Sequence, residues 1–184
     1  MKIFSIFTPN GLTMKTLFTF FAFLASGFLS GAVIRWTNDK NGYEIFYVAG
    51  LVFGITYVML NKLIVEATAL SLLAIVISCG AYLCSVIVAI NISEPFFLTG
   101  FIGAGITGVF FMLLFGVRWS FVLSAAVAGG LLGMLMLITD MDHGYELAYT
   151  FSAWQGVVGT LLSLGLRKEK RYSNTPTSHT PHPR

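Results

Sequence analysis

The chain has 184 residues, of which 56% are hydrophobic and only 10% charged, against about 25% charged in an ordinary soluble domain. Its mean hydropathy is strongly positive, which excludes a water-soluble globular fold. The formal net charge of +3 comes from lysines and arginines beside apolar runs, with no basic stripe interleaved with aromatics, so nucleic acid is excluded as a partner and the charge is read through topology.

Residues 1–15 form a short mixed lead-in broken by Pro9, Asn10 and Gly11, expected on the cytoplasmic side. Residues 16–34 carry no charge and approach the roughly 20 residues needed to cross a hydrocarbon core about 30 Å thick. Ala25, Ser26 and Gly27 offer a competing signal-peptide cleavage site, but the apolar run continues beyond them, too far for a typical signal core. A polar turn is expected from Arg35 to Glu44. Further spans follow at 45–60, 67–90, 96–116, 120–139 and 147–166. The basic run Arg167, Lys168, Lys170 and Arg171 stops the last of them, and a tail rich in Ser, Thr, Pro and His to residue 184 has nothing apolar to bury and is expected to be disordered.

These runs predict an all-α membrane protein, a six-transmembrane-helix bundle (16–166) with N- and C-termini cytoplasmic. Alternating six spans puts all 11 Lys and Arg residues except Arg35 and Lys40 on the side of the termini, and the positive-inside rule makes that side cytoplasmic. Compact loops favour a bacterial inner membrane. Two strings, residues 51–57 (LVFGITY) and 113–119 (LLFGVRW), match in residue class at all positions but one and suggest a duplicated hairpin.

Only Val117, Arg118 and Trp119 separate the fourth and fifth runs, which read as a helical hairpin. Gly100, Ala104 and Gly108 recur every four residues in one run, and Ala125, Gly129 and Gly133 in the other. Such side-chain-poor stripes let backbones approach in lipid, where no hydrophobic force drives helices together. They are expected to pack helices or to receive a protein partner or a second copy of the chain.

Gln155, beside Trp154 within the sixth span, is the polar residue most in need of explanation, because an unpartnered amide in hydrocarbon is costly. It either bridges helices or, with Trp154, lines a pocket for a small polar-aromatic solute. Asp140, Asp142 and His143 gather oxygen and nitrogen donors in one loop, weak candidates for a divalent cation; a solvated loop explains them equally, and no metal or other cofactor is expected. Glu66 is placed to favour a helix N-terminus. Cys79 and Cys84, five residues apart, point about 140° apart on a helix and should not pair. No phosphate-binding loop, HExxH or GxSxG is present, so an enzyme is not expected.

The resulting expectation is a small-solute permease or the solute-binding membrane subunit of a transporter. The alternative is a non-transporting interaction protein (immunity, assembly or regulatory) recognised through small-residue helix faces. In size, span count and cytoplasmic termini the chain resembles the S components of energy-coupling-factor vitamin transporters, a resemblance of architecture with no residue motif behind it. It implies that spans four to six enclose the solute, that Trp154 and Gln155 touch it, and that the Gly100-Ala104-Gly108 stripe docks a partner.

Overall fold

The structure is a computed structural model that describes residues 12–41, 47–61, 68–91, 96–137 and 146–166. Among these residues the regular elements are all helical: α1 (Leu12–Asn41), α2 (Tyr47–Leu60), α3 (Thr68–Asn91), α4 (Phe96–Phe115), α5 (Trp119–Gly133) and α6 (Glu146–Gly165), with a 3₁₀ turn, Met134–Leu137, continuing α5. Glu66, Asp140, Asp142, His143 and the tail lie outside the described residues.

Three helices are long and apolar enough to cross a membrane, through Met14–Trp36 of α1, Thr68–Val88 of α3 and Phe97–Phe115 of α4. α2 and α5, with 14 and 15 residues, are apolar but reach only about 21–23 Å at 1.5 Å per residue. The expected fifth span, 120–139, is α-helical only as far as Gly133. Gly129, Gly130 and Gly133 weaken the helix there, and the stretched 3₁₀ turn that follows adds about 8 Å. A second departure concerns α1, which continues to Asn41 through part of the expected polar turn. Nothing between Trp36 and Asn41 breaks a helix, and the first glycine comes at Gly42.

The distribution of side chains suits lipid rather than water. Leu17, Phe18, Phe21, Leu72, Val76, Leu113 and Leu131 are exposed, whereas Ser26, Ser30, Ser78, Thr107 and Gln155 are buried. The buried hydroxyls of Ser30, Ser78, Ser85 and Thr107 donate to carbonyls one turn back in their own helices, at 2.8–2.9 Å, so no water is needed to satisfy them. Together with the three long apolar helices, this is compatible with a membrane protein.

Each helix packs on the next in sequence, and α6 returns to α1 to close a ring. Neighbours run antiparallel: Gly50 and Gly54 of α2 meet Ser78 and Ile75 of α3 in reverse order, and Gly100 and Gly108 of α4 likewise meet Gly129 and Val122 of α5. α1 and α6 are antiparallel too, with Gly27 on Phe151 and Phe23 on Gly159, so the start of α1 and the end of α6 share one end of the ring. Cutting at Ala25–Gly27 would strip Thr19 and Phe23 from this core.

Three antiparallel pairs, α1/α6, α2/α3 and α4/α5, are the closest, and each has a glycine where the backbones meet. A Cβ built on Gly50 would lie 2.5 Å from the Ser78 carbonyl oxygen, and one on Gly100 would overlap the Gly129 carbonyl. Gly100, Ala104, Gly108, Ala125, Gly129 and Gly133 are all buried. Gly100 meets Gly129 and Gly133, and Ala104 meets Gly129, so the two stripes face each other within the chain.

The two similar strings are not equivalent in structure. Residues 51–57 lie inside α2, whereas residues 113–119 leave α4 at Gly116, whose φ of +70° ends the helix as glycine readily does. The turn then docks on the end of α6, where the Arg118 N–H donates to the Gly165 carbonyl at 2.9 Å and satisfies one of the carbonyls a helix end leaves open.

Gly80, by contrast, is an exposed helical glycine with nothing within 4 Å of the position a Cβ would take. Gly80→Ala is therefore expected to be neutral or stabilising, by up to about 1 kcal/mol from helix propensity. Gly100→Ala should destabilise by about 2 kcal/mol or more through overpacking. Thermal melting of the two variants in the same detergent distinguishes them.

Candidate functional site

α6 is the least apolar of the six helices after α1, and it carries Glu146, Thr150, Ser152, Gln155, Thr160 and Ser163, most of which it turns inward. Gln155 is fully buried. Its Oε1 accepts from Ser26 Oγ at 2.6 Å, and its Nε2 donates to Ser30 Oγ and to the Ala49 carbonyl, both at 3.2 Å. The amide orientation follows from the network: Ser30 gives its own proton to the Ser26 carbonyl at 2.8 Å, so it can only accept from Gln155, and the nitrogen must face it. One side chain thereby joins α6 to α1 and α2.

Further bonds bring α6 to its neighbours. Ser152 donates to the Leu24 carbonyl at 2.8 Å, Asn61 Nδ2 donates to Ser163 Oγ at 3.0 Å, and the Tyr57 hydroxyl reaches the Leu162 carbonyl at 3.4 Å. Glycines in α6 receive α1 side chains: Phe20 and Leu24 at Gly156, and Phe23 at Gly159.

Trp154 occupies the ring interior. Its indole packs edge-on against Tyr82 of α3, with centroids 5.2 Å apart, and against Phe53 of α2 at 6.0 Å. Room for it comes from glycine: a Cβ on Gly129 would lie 3.2 Å from the indole nitrogen, and Gly103 borders the ring from α4. Tyr82 also stacks on Phe151 at 6.0 Å. Among the described residues, no Cα of α3 comes within 8 Å of one in α6. The Tyr82 ring, packed on Phe151 and Trp154, bridges these opposite helices where their backbones stay apart.

The Tyr82 hydroxyl stands beside the Gln155 amide, yet it is buried with no partner in hydrogen-bond geometry. Such a group is expensive to leave unmatched. The hydroxyls of Ser71, Thr99 and Thr160 are unmatched as well.

Sequence reasoning singled out Trp154 and Gln155 but not the residues the fold brings to them, Tyr82, Ser26 and Ser30. A signal existed in α3: Ser71, Ala74, Ser78, Ala81 and Ser85, all buried, follow a three-four spacing that marks one helix face. Tyr82 sits at the edge of that face. Ser26 and Ser30, one turn apart in α1, gave only the generic signal of hydroxyls in an apolar run.

Cys79 and Cys84 are unpaired. No group of three or more potential metal ligands occurs among the described residues. Comparison with known proteins finds no matching family model, no matching curated protein and no matching solved structure.

Because Gln155 bridges three helices, Gln155→Ala is expected to destabilise the fold by about 1–3 kcal/mol. Ser26→Ala should cost less, since Gln155 keeps its other two partners. Reversible unfolding in mixed micelles measures both.

Proposed function

We propose that the chain is a six-span membrane protein that binds a small solute inside its helical ring, either as a permease or as the solute-binding membrane subunit of a transporter. The observation that carries this reading is the Tyr82–Trp154 contact beside Gln155: an aromatic bridge with an unmatched hydroxyl, at the centre of a ring whose opposite helices are not held together by backbone packing. Sites for small molecules combine apolar and aromatic walls with a few placed polar groups. Trp154 forms the stacking wall, and Gln155 both fixes α6 and keeps one lone pair of Oε1 uncommitted.

Six spans are supported by the antiparallel alternation of the ring and by the inward placement of the α6 polar residues. The charge distribution supports a cytoplasmic position for the end bearing Lys15 and Arg118, and the compact loops favour a bacterial inner membrane. Trp119, 59% exposed, and Trp36, 84% exposed, then belong to opposite interfacial belts. Cysteines placed at Trp119 and Trp36 should accordingly be labelled by a membrane-impermeant maleimide from opposite faces of sealed vesicles. Labelling from one face would overturn the topology.

The second reading, a non-transporting interaction protein or a homo-oligomer, draws on Gly80. The α4 and α5 stripes occupy each other, whereas Gly80 faces open space on the outer side of α3, and on this reading a helix of another molecule packs there. Two substitutions separate the readings. Trp154→Leu should remove a small mass that remains bound on gentle extraction, seen by native mass spectrometry, without releasing a protein partner; Gly80→Leu should disrupt association and leave the small mass in place.

A further inference from the structure

The six seams of the ring differ in what closes them. At α1/α6, α2/α3 and α4/α5 a glycine brings one backbone onto the next: Gly27 on Phe151, Gly50 on Ser78 and Gly100 on Gly129. Glycine also serves α3/α4 and α5/α6, where Gly103 lies against Ser85 and Gly165 against Val117 and Phe121. Among the described residues, backbone approach is sparsest between α1 and α2. Large rings meet there instead, Phe23 with Phe53 at a centroid distance of 5.4 Å and with Tyr57 at 6.4 Å.

α2 is tied at three heights to α6, behind that seam. The Ala49 carbonyl accepts from Gln155 Nε2 at 3.2 Å, the Tyr57 hydroxyl reaches the Leu162 carbonyl at 3.4 Å, and Asn61 Nδ2 donates to Ser163 Oγ at 3.0 Å. The Tyr57 bond is long. Between helices in lipid, one side-chain hydrogen bond shifts an equilibrium by only about threefold on average, whereas backbone seated on a glycine engages many atoms at once. α2 is thus the helix most easily released from its α1 neighbour.

We infer that the ring opens sideways at the α1/α2 seam, with the Asn61–Ser163 bond as its latch. The chain joins α1 to α2 through residues 42–46, so the seam opens widest at the opposite end, where Asn61 and Ser163 stand. Gly50 and Gly54 hold α2 against α3, so the two helices move as one body with the α3/α4 seam as pivot. Phe53 also packs on Trp154 at 6.0 Å, and its departure uncovers the indole. A molecule dissolved in the bilayer then has a path to the centre of the ring. The gate is a property of the packing and stands with or without a solute.

The test uses the full chain in lipid vesicles, with Cys79 and Cys84 replaced by alanine and nitroxide spin labels on introduced cysteines. Phe18, Met59 and Leu164 are exposed and lie toward the opening end of α1, α2 and α6. Phe18→Cys with Met59→Cys spans the seam; Phe18→Cys with Leu164→Cys spans the tight α1/α6 pair as reference. Pulsed electron paramagnetic resonance should show two distances across the seam, the longer in the minority, and one narrow distance in the reference. Ser163→Ala should raise the ratio of longer to shorter population about threefold, the effect of one such bond, and alanine keeps α6 helical. Asn61→Ala removes the same bond from the other side and should do likewise. One narrow distance across the seam, equal spread in both pairs, or a longer population that neither substitution moves would overturn the gate.

Discussion

Where water is absent, a side-chain amide must find its partners within the protein, and Gln155 is the group on which this requirement falls hardest. Its donors and acceptor reach Ser26, Ser30 and the Ala49 carbonyl, which brings two other helices to α6 at fixed heights. The other bonds of α6 extend the same arrangement along its length: Ser152 to α1, Ser163 and the Leu162 carbonyl to the end of α2, and the Gly165 carbonyl to the turn before α5. α6, the last helix among the described residues, thus closes the ring. A helix this polar is stable among apolar neighbours only because it is enclosed by them.

Glycine sets the distances at which this enclosure happens. Helices in lipid gain from dispersion and close backbone contact rather than from burying apolar surface, so gaps matter more than bulk at the seams. Gly27, Gly50 and Gly100 each bring one helix onto the backbone of its partner. The large side chains are sorted accordingly: aliphatic ones such as Leu72, Val76 and Leu131 face outward, while Phe53, Tyr57, Phe111 and Trp154 fill the middle of the ring. Tyr57 and Phe111, with ring centroids 4.2 Å apart, plug the half nearer the end of α6, and Tyr82 with Trp154 lies deeper along it.

The interior is consequently uneven. Along the three close pairs, backbone packs on backbone and a shift of one helix would cost many contacts at once. Between α3 and α6 the backbones stay apart and the Tyr82 ring meets Phe151 and Trp154, and rings can rotate about two side-chain torsions without moving a helix. A solute site is cheapest to open where side chains rather than backbones close it, which is why Tyr82 and Trp154 take the central place in the functional reading.

Run length and the absence of charge were enough to locate the helices, since each apolar stretch has few ways to satisfy its backbone in lipid. The four-residue spacing of Gly100, Ala104 and Gly108 likewise announced a close contact, and the position of Gln155 announced a need for partners. Local sequence could not say which partners. Ser26 and Gln155 are 129 residues apart, and only the closure of α6 on α1 brings them together. Nor could residue class separate Gly54, which packs inside a helix, from Gly116 at φ +70°. The two differ in the residues after them: a continuing apolar run in one case, Arg118 and the docking site on α6 in the other. The end of α1 was hidden for a related reason, as its last residues carry no apolar signal and are helical simply because nothing interrupts them before Gly42. Composition and spacing thus dictated a helical chain, apolar on its outside and in need of close packing. Which faces meet, and with them the pairing of Tyr82 with Trp154, was settled by the folded ring, because contacts between distant segments depend on how the ring closes and leave no periodic trace in either segment.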